Sequence, residues 1–243
     1  MSELKFYKMK DKSDKFTKKK HLTFDTPFRI VAVGSTGSGK TSCLGSLLLL
    51  KQFYFNDFSG NNIYIFSNSL KGDFKVQQIV KGKKIPPMNL YDNLDDDILN
   101  ALYDKLIEEF KEANDAKKIP PSVLIVIDDC SFDGSLRNGF YNAVTRLFHN
   151  GRKFNFSVYI TSQYLSHIAP SVLSNISGGI FFNMSDRQLD LLSDHYNFLE
   201  GGKKQFKRLF RQNVLEKHDS FIINFSNSRE EGLYLNKNFE KIG

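Results

Sequence analysis

One short stretch near the amino terminus constrains the fold more than any other part of the chain. An apolar run at residues 30–33 leads into residues 34–41, Gly-Ser-Thr-Gly-Ser-Gly-Lys-Thr, which match the pattern G-x-x-x-x-G-K-[ST] in full. Glycines allow a tight turn that points successive backbone N–H groups inward, and the following helix adds the positive end of its dipole. We therefore expect a strand, a phosphate-binding loop and a helix over residues 41–52.

The residue types of this loop predict how it holds a nucleotide. Lys40 is expected to reach the β- and γ-phosphates, and the hydroxyl of Thr41 is expected to bind Mg²⁺. ATP and Mg²⁺ are the expected ligands. The residues predicted to surround the phosphates are Gly34, Ser35, Thr36, Gly37, Ser38, Gly39, Lys40, Thr41 and Ser42.

A second motif lies in the middle of the chain. Five apolar residues, 123–127, run directly into Asp128 and Asp129. A buried parallel strand delivers carboxylates at its end to the sheet edge where phosphates bind. Asp128 is therefore expected to bind Mg²⁺ and Asp129 to polarise the attacking water. The strand predicted at residues 156–161 is followed by Gln163, which is placed to sense the γ-phosphate or to orient water.

Strand and helix patterns alternate along the chain and predict an α/β fold. We expect a basic, mobile arm at residues 1–21, a nucleotide-binding domain at residues 22–225, and a polar segment at residues 226–243 with an edge hairpin around residues 233–235. Further strands are predicted at residues 63–66, 178–182 and 221–225. Further helices are predicted at residues 73–80, 94–112, 135–150, 168–176, 188–196 and 201–211.

The chain of 243 residues carries a net charge of +7, which suits a polyanionic partner. Basic side chains concentrate in the first 20 residues and in residues 201–217. A solvated basic surface would give the same pattern, so nucleic-acid contact and simple solvation both stay open. The named candidates for DNA contact are Lys203, Lys204, Lys207, Arg208 and Arg211.

Cysteine usage and hydropathy bear on the compartment. The two cysteines favour a reducing environment over a disulfide framework. The longest aliphatic run, residues 47–50, is far shorter than the ~20 apolar residues that a membrane span needs. No apolar segment follows the basic amino terminus, so we expect a protein that is not secreted and has no membrane span.

Four segments, in this order, resemble a known family. They are the loop of form G-x-x-G-x-G-K-T, the strand ending Ile-Asp-Asp129, the segment Phe-His-Asn-Gly-Arg152 and the strand ending Ile-Thr-Ser-Gln163. Together they look like the genome-packaging ATPases of the FtsK–HerA superfamily, found in poxviruses, giant viruses and virophages. The resemblance covers roughly residues 25–225, and the compact, Phe-, Asn- and Lys-rich chain looks most like a virophage member.

The resemblance implies a RecA-like P-loop NTPase core, with a strand between those that carry the loop and the acid pair. It further implies a homo-oligomeric ring, a pentamer or hexamer, that drives double-stranded DNA into a preformed capsid at a portal-like vertex. Such a protein is expected in the virion or in a virus factory in the host cytoplasm.

The same resemblance implies that an arginine from one subunit completes the site of its neighbour. Arg152 is the candidate for this finger, but many relatives have Arg-His where this chain has Arg152 followed by Lys153. Arg146 therefore remains a competitor. Asp129 also departs from the longer Glu that is common in the superfamily.

Three other functions stay open from the residues alone. The chain could be a small-molecule P-loop kinase, although the acid pair favours water as the nucleophile. It could be a nucleotide-gated DNA-binding or assembly protein with little turnover. A cellular helicase-loading or plasmid-transfer ATPase would use the same chemistry for a different purpose.

Overall fold

A mainly parallel sheet of eight strands forms the centre of the computed structural model, which describes residues 12–20, 23–130 and 142–242. The strands are β1 (Arg29–Val33), β2 (Ile63–Ser67), β3 (Leu90–Tyr91), β4 (Val123–Asp128), β5 (Phe156–Ser162), β6 (Gly178–Phe182), β7 (Ser220–Asn224) and β8 (Tyr234–Leu235). Their order across the sheet is β3-β2-β4-β5-β1-β6-β7-β8. Strands β1 to β6 run parallel, and β7 and β8 are antiparallel to their neighbours.

The strand order places β5 between β1 and β4. This is the arrangement implied by the resemblance to RecA-like proteins, and the α/β fold class is confirmed. The register sets Val33 beside Ser162, and Ser67 beside Asp128. Polar residues that end neighbouring parallel strands therefore meet at one edge of the sheet.

Seven α-helices within the described residues cover both faces of this sheet. They are α1 (Lys40–Leu49), α2 (Phe74–Lys83), α3 (Asp96–Asp115), α4 (Ala143–Asn150), α5 (Pro170–Leu173), α6 (Asp186–Tyr196) and α7 (Gly202–Asn213). Short 3₁₀ helices lie at Lys12–Phe16, Gly60–Asn62, Pro87–Asn89, Gly151–Phe154 and Leu165–His167. None of the helices in the described part of the chain is both long and apolar enough to cross a membrane.

Alternating side chains of each strand enter two separate cores. In β1, Ile30 and Ala32 pack with apolar residues of α1 and α2, whereas Val31 and Val33 pack with those of α3 to α7. All six residues of β4 are buried. A strand covered on both faces explains why its sequence is an unbroken apolar run rather than an alternating one.

Helix α3 differs from its prediction in the face that it buries. Its start is capped by the carboxylate of Asp95, which accepts hydrogen bonds from the N–H groups of residues 97 and 98. In the sequence, apolar residues of this segment recur every four positions from Leu94 to Phe110 and predict that Ile98 is buried. The structure instead leaves Ile98 40% exposed and buries Leu99 fully. A helix has 3.6 residues per turn, so a strict four-residue repeat drifts off the buried face.

The first and the last segments that the structure describes both contact the domain. Phe16 is buried, and its ring lies 5.5 Å from that of Phe110 in an edge-to-face arrangement. This apolar contact differs from the mobile arm predicted there; residues 1–11 and 21 of that arm lie outside the described residues. At the other end, β8 forms an antiparallel edge hairpin with β7.

The first part of the helix predicted at residues 135–150 also lies outside the described residues, and α4 begins at Ala143.

Candidate nucleotide-binding site

The loop between β1 and α1 forms a compact turn at the carboxyl edge of the sheet. Its first N–H group, that of Gly34, donates to the carbonyl of Ser162 at 3.1 Å. Gly37 and Gly39 have φ angles of +75° and +117°, a backbone conformation that residues with a Cβ atom rarely adopt. A Cβ atom on Gly34 would lie 2.6 Å from the Cβ of Phe182. Three glycines of the motif are thus required by conformation or by space.

Lys40 directs its ammonium group into the curve of this loop. Its Nζ donates to the carbonyls of Gly34 at 2.7 Å and Ser35 at 3.1 Å. Burial lowers the pKa of Lys40, and the nearby carboxylates of Asp129 and Asp128 oppose that shift. The loop therefore holds a cation where a polyphosphate would lie.

Asp128 ends β4 and is 2% exposed. Its Oδ1 accepts a hydrogen bond from the hydroxyl of Thr161 at 2.7 Å, and its Oδ2 lies 3.4 Å from the Oγ of Ser67, which donates to it. Burial raises the pKa of Asp128, and the hydrogen bond from Thr161 opposes the rise. A buried carboxylate held by two hydroxyl donors is positioned for a cation.

Asp129 leaves the strand and turns towards the loop. Its backbone has a φ of +52°, and its N–H donates to the hydroxyl oxygen of Thr161 at 2.9 Å. Nε2 of Gln163 donates to Oδ1 of Asp129 at 3.1 Å. The acid and the amide predicted from two separate strands are thus in direct contact. A left-handed conformation at a non-glycine residue is often found at functional sites.

These groups line one cavity of about 210 Å³. Its walls include Lys40, Thr41, Asp128, Asp129, Thr161 and Gln163. The Thr41 hydroxyl and the Asp128 carboxylate are hard oxygen ligands, which Mg²⁺ prefers, so the residues present fit this metal. The predicted loop residues, acids and glutamine are brought together as the sequence patterns indicated.

Sequence reasoning missed several groups that surround the loop. Nζ of Lys75, near the start of α2, donates to the hydroxyl of Ser42 at 2.7 Å and lines the same cavity. From the segment before β7, Nδ1 of His218 lies 3.1 Å from the carbonyl of Ser38, within hydrogen-bond distance. The amino group of Lys217 lies beside Gly37. No local pattern marks these residues, because Lys75 comes near the loop through the packing of α2 beside α1, and Lys217 and His218 come near it through the return of β7 along the sheet.

Among the described residues that line this cavity, neither Arg152 nor Arg146, the two candidates for the finger, is present. Arg152 lies in the 3₁₀ helix before β5, at the amino end of that strand, and its Nη2 is 3.6 Å from Asp14. Arg146 is held by its own subunit, with Nη2 2.9 Å from Oδ1 of Asp104 and its guanidinium 4.5 Å from the ring centre of Tyr103. Arg146 is therefore held within its own subunit by more contacts, and by a shorter ion pair, than Arg152.

The basic residues predicted to contact DNA divide into two groups on α7. Acidic side chains of α6 pair with three of them: Asp194 with Lys203, Asp190 with Lys207, and Asp186 with Arg211. Lys204 and Arg208 make no ion pair with another described residue. The matched spacing of four residues in both helices could have indicated this ladder, since residues four apart share a helix face.

A parallel sheet with β5 between the strands of the loop and the acid pair, joined to a complete phosphate-binding loop, defines a P-loop NTPase. The chain belongs to the family described as Poxvirus A32 protein, which matches residues 13–235. This family confirms the resemblance to viral packaging ATPases.

Two viral proteins are similar in sequence. Protein 015R of Frog virus 3 (isolate Goorha) is 26% identical over 154 residues, which are 63% of this chain and 43% of that protein. Protein 075L of Invertebrate iridescent virus 6 is 25% identical over 154 residues, covering 63% of this chain and 54% of that protein. The chain spans about half the length of these relatives.

Solved structures show the same fold. The genome packaging NTPase B204 of Sulfolobus turreted icosahedral virus 2, in complex with ATP-gammaS, has a TM-score of 0.57 and 15% identity, covering 82% of this chain and 93% of that one. The conjugation coupling protein TcpA of pCW3 has a TM-score of 0.55 and 14% identity, covering 83% of this chain and 58% of that one.

Proposed function

We propose that this chain hydrolyses ATP with Mg²⁺ and couples hydrolysis to the movement of double-stranded DNA into a viral capsid. The observation that carries the proposal is the contact between Asp129 and Gln163 in the cavity that also holds Lys40 and Asp128. The family supports a packaging role, and the fold neighbour B204, named as a genome packaging NTPase, was solved with ATP-gammaS.

The chemistry follows from the residues of the cavity. The loop N–H groups and Lys40 bind the phosphates, and Thr41 and Asp128 hold Mg²⁺, which neutralises phosphate charge when it is bound. Asp129 accepts a proton from water, and Gln163 orients that water through its amide. Because Asp128 would hold Mg²⁺, Asp129 remains to activate the nucleophile, and its contact with Gln163 favours water over the hydroxyl of a kinase substrate.

Arg152 is the proposed finger that completes the site of a neighbouring subunit. Strand β5 has seven residues, so its two ends are roughly 20 Å apart. An arginine at the amino end of β5 cannot serve the cavity at the carboxyl end of the same subunit. A ring of five or six subunits would bring Arg152 to the next site, where its guanidinium can meet charge on the transferred phosphoryl group.

Lys204 and Arg208 are the proposed DNA contacts on α7, because the ion pairs to α6 engage the other three basic residues. Contacts to phosphates would make binding independent of sequence and weaker at high salt. The proposed partners of the ring are a portal-like capsid vertex and the viral genome, and the proposed location is the virion or the virus factory.

Steady-state ATP hydrolysis with Mg²⁺, measured across protein concentration with and without long double-stranded DNA, tests this function. We expect a DNA-stimulated rate that rises steeply with concentration, is abolished by Lys40→Ala and falls about 10³-fold in Arg152→Ala. Lys153→Ala is the matched control, since it removes the same charge from the adjacent position and should retain the rate. Tight ATP binding without turnover under all conditions would instead indicate a nucleotide-gated binding protein.

A further inference from the structure

A second lysine, Lys75, lies in the cavity that holds the acid pair. Lys40 and Lys75 are the basic side chains among the described residues that line this cavity. They enter it from different helices, since Lys40 is the first residue of α1 and Lys75 is the second residue of α2. The proposed hydrolysis uses Lys40 and leaves Lys75 without a role.

The packing of α2 beside α1 fixes the position of Lys75. Val76 and Ile79 of α2 are buried in one core with apolar residues of α1. At the start of α2, Oδ1 of Asp73 accepts hydrogen bonds from the N–H groups of Lys75 at 2.7 Å and Val76 at 3.4 Å. These contacts hold the first turn of α2 next to the first turn of α1, with Lys75 at the cavity.

A lysine in the first turn of a helix is unfavourable for the helix itself. The amino end of a helix carries partial positive charge, which acidic side chains stabilise and basic ones do not. Lys81 and Lys83 lie in the last turn of α2, where a positive charge is favourable. Lys75 lies at the wrong end, so helix stability does not account for its presence.

The ammonium group of Lys75 is held by a neutral partner. Its Nζ donates to the hydroxyl of Ser42 at 2.7 Å, and among the described residues it forms no ion pair. By contrast, Nζ of Lys71 pairs with Asp92 at 2.8 Å. A hydrogen bond to an ionised phosphate oxygen is stronger than one to a hydroxyl, and the flexible lysine side chain can exchange one for the other. A phosphate in the cavity is therefore the better partner for Lys75.

We propose that Lys75 is a catalytic residue that contacts the β-phosphate of ATP and stabilises the negative charge that forms there during hydrolysis. The inference rests on the proposed function, because it requires ATP in the loop. Ser42 lies in the first turn of α1, next to the N–H groups that hold the phosphates that are not transferred. Nζ of Lys75 is therefore on the side of the leaving group.

The charge that Lys75 stabilises follows from the bonds that change. Water attacks the γ-phosphorus, and its proton passes to Asp129. The bond between the γ-phosphorus and the bridging oxygen breaks and leaves its electron pair on the β-phosphate of ADP. Lys75 acts on that charge from the same subunit as the loop, unlike the finger proposed at Arg152.

Single-turnover hydrolysis by the full chain, with Mg²⁺, ATP and double-stranded DNA, tests this role, because it isolates the chemical step from product release. Lys75→Met keeps most of the side-chain length and removes the charge, so the rate constant should fall about 10²-fold. Lys71→Met removes the same charge from the same segment outside the cavity and should retain the wild-type rate. Both side chains are exposed, so both variants should fold, which circular dichroism checks.

Nucleotide affinities test where Lys75 makes its contact. The β-phosphate is terminal in ADP and carries more negative charge there than in a nucleoside triphosphate. In calorimetric titrations, Lys75→Met should therefore weaken binding of magnesium–ADP about tenfold and weaken binding of magnesium–ATPγS less. Ser42→Ala removes the hydroxyl that holds Lys75 but keeps the charge, so it should slow hydrolysis less than Lys75→Met does.

The outcomes separate this role from the proposed function. A wild-type rate in Lys75→Met, or an equal loss in Lys71→Met, would overturn the role of Lys75 and leave ATP hydrolysis intact. Equal losses in Ser42→Ala and Lys75→Met would make Lys75 a structural link between α1 and α2. A wild type that binds magnesium–ATPγS but does not hydrolyse ATP would contradict the proposed function, and the role of Lys75 with it.

Discussion

Thr161 connects the two acids of the site through a single hydroxyl. The group donates to the carboxylate of Asp128 and accepts from the backbone N–H of Asp129. Thr161→Val keeps the shape of the side chain but removes one hydrogen bond from the buried carboxylate of Asp128 and one from the partly buried N–H of Asp129. We expect stability to fall by about 1.5–3 kcal/mol and ATP hydrolysis to fall at least about tenfold, because Asp129 loses its position. Urea unfolding and a steady-state assay measure the two effects.

Thr161→Ser is the matched control for this prediction. It retains the hydroxyl and removes only a methyl group, so hydrolysis should stay close to that of the wild type. ATP affinity should change little in either variant, because Thr161 is not in the phosphate loop. A Thr161→Val protein that hydrolyses ATP at the wild-type rate would show that the hydroxyl does not position the acid.

At the scale of helices, the ladder between α6 and α7 separates two kinds of basic residue. Replacing both Lys204 and Arg208 with Ala should weaken binding to double-stranded DNA at all sequences. It should also reduce the slope of log affinity against log salt by about two, since each phosphate contact contributes close to one. Fluorescence anisotropy with DNA of several sequences, titrated over a range of salt concentrations, measures both quantities.

The double variant Lys203→Ala and Lys207→Ala controls for charge, because it removes two positive charges from the same helix. These side chains pair with Asp194 and Asp190, so their loss should change the salt slope less. Exposed ion pairs contribute only about 0–1 kcal/mol each, so both double variants should fold. Equal effects of the two variants would mean that only net charge matters and that α7 makes no direct contact.

Much of the site could be predicted from the sequence because its residues end strands of one parallel sheet. Gly34 follows β1, Asp128 ends β4 and Gln163 follows β5. In the sequence, a mainly apolar run precedes each of these residues. The carboxyl ends of parallel strands meet at one edge, so local patterns were sufficient to place the three together. Strand order itself came from the family resemblance, since periodicity does not tell which strands are neighbours.

Contacts made by the antiparallel part of the sheet could not be predicted in this way. His218 is 180 residues from Ser38 in sequence, and it reaches the loop because β7 pairs antiparallel with β6. Phe239 reaches Phe53, just after α1, through the turn that follows β8. Neither position has a motif, and each depends on how the chain returns to the sheet after α7.

At the scale of the whole molecule, the position of Arg152 predicts an active site shared between subunits. It lies at the amino end of β5, and the acids lie at the carboxyl edge of the sheet. In a ring built from head-to-tail contacts, one surface of each subunit meets a different surface of the next. Lys40 and Arg152 would then act in the same site only when they come from neighbouring subunits.

Mixing two inactive variants tests this arrangement. Lys40→Ala subunits lack a working loop but still supply Arg152, and Arg152→Ala subunits have a working loop but lack the finger. In an equal mixture that exchanges freely, a site is complete when an Arg152→Ala subunit lies before a Lys40→Ala neighbour. If sites act independently, about one quarter of the wild-type hydrolysis rate should return.

The double variant with both substitutions on one chain provides the control, because mixing it with either single variant restores no complete site.

Repeating the mixture with Arg146→Ala in place of Arg152→Ala separates the two arginines. Asp104 and Tyr103 hold Arg146 within its own subunit, so Arg146→Ala alone should remain active and should need no rescue. Recovery only with Arg146→Ala would reassign the finger, and no recovery with either arginine variant would place all catalytic groups in one subunit.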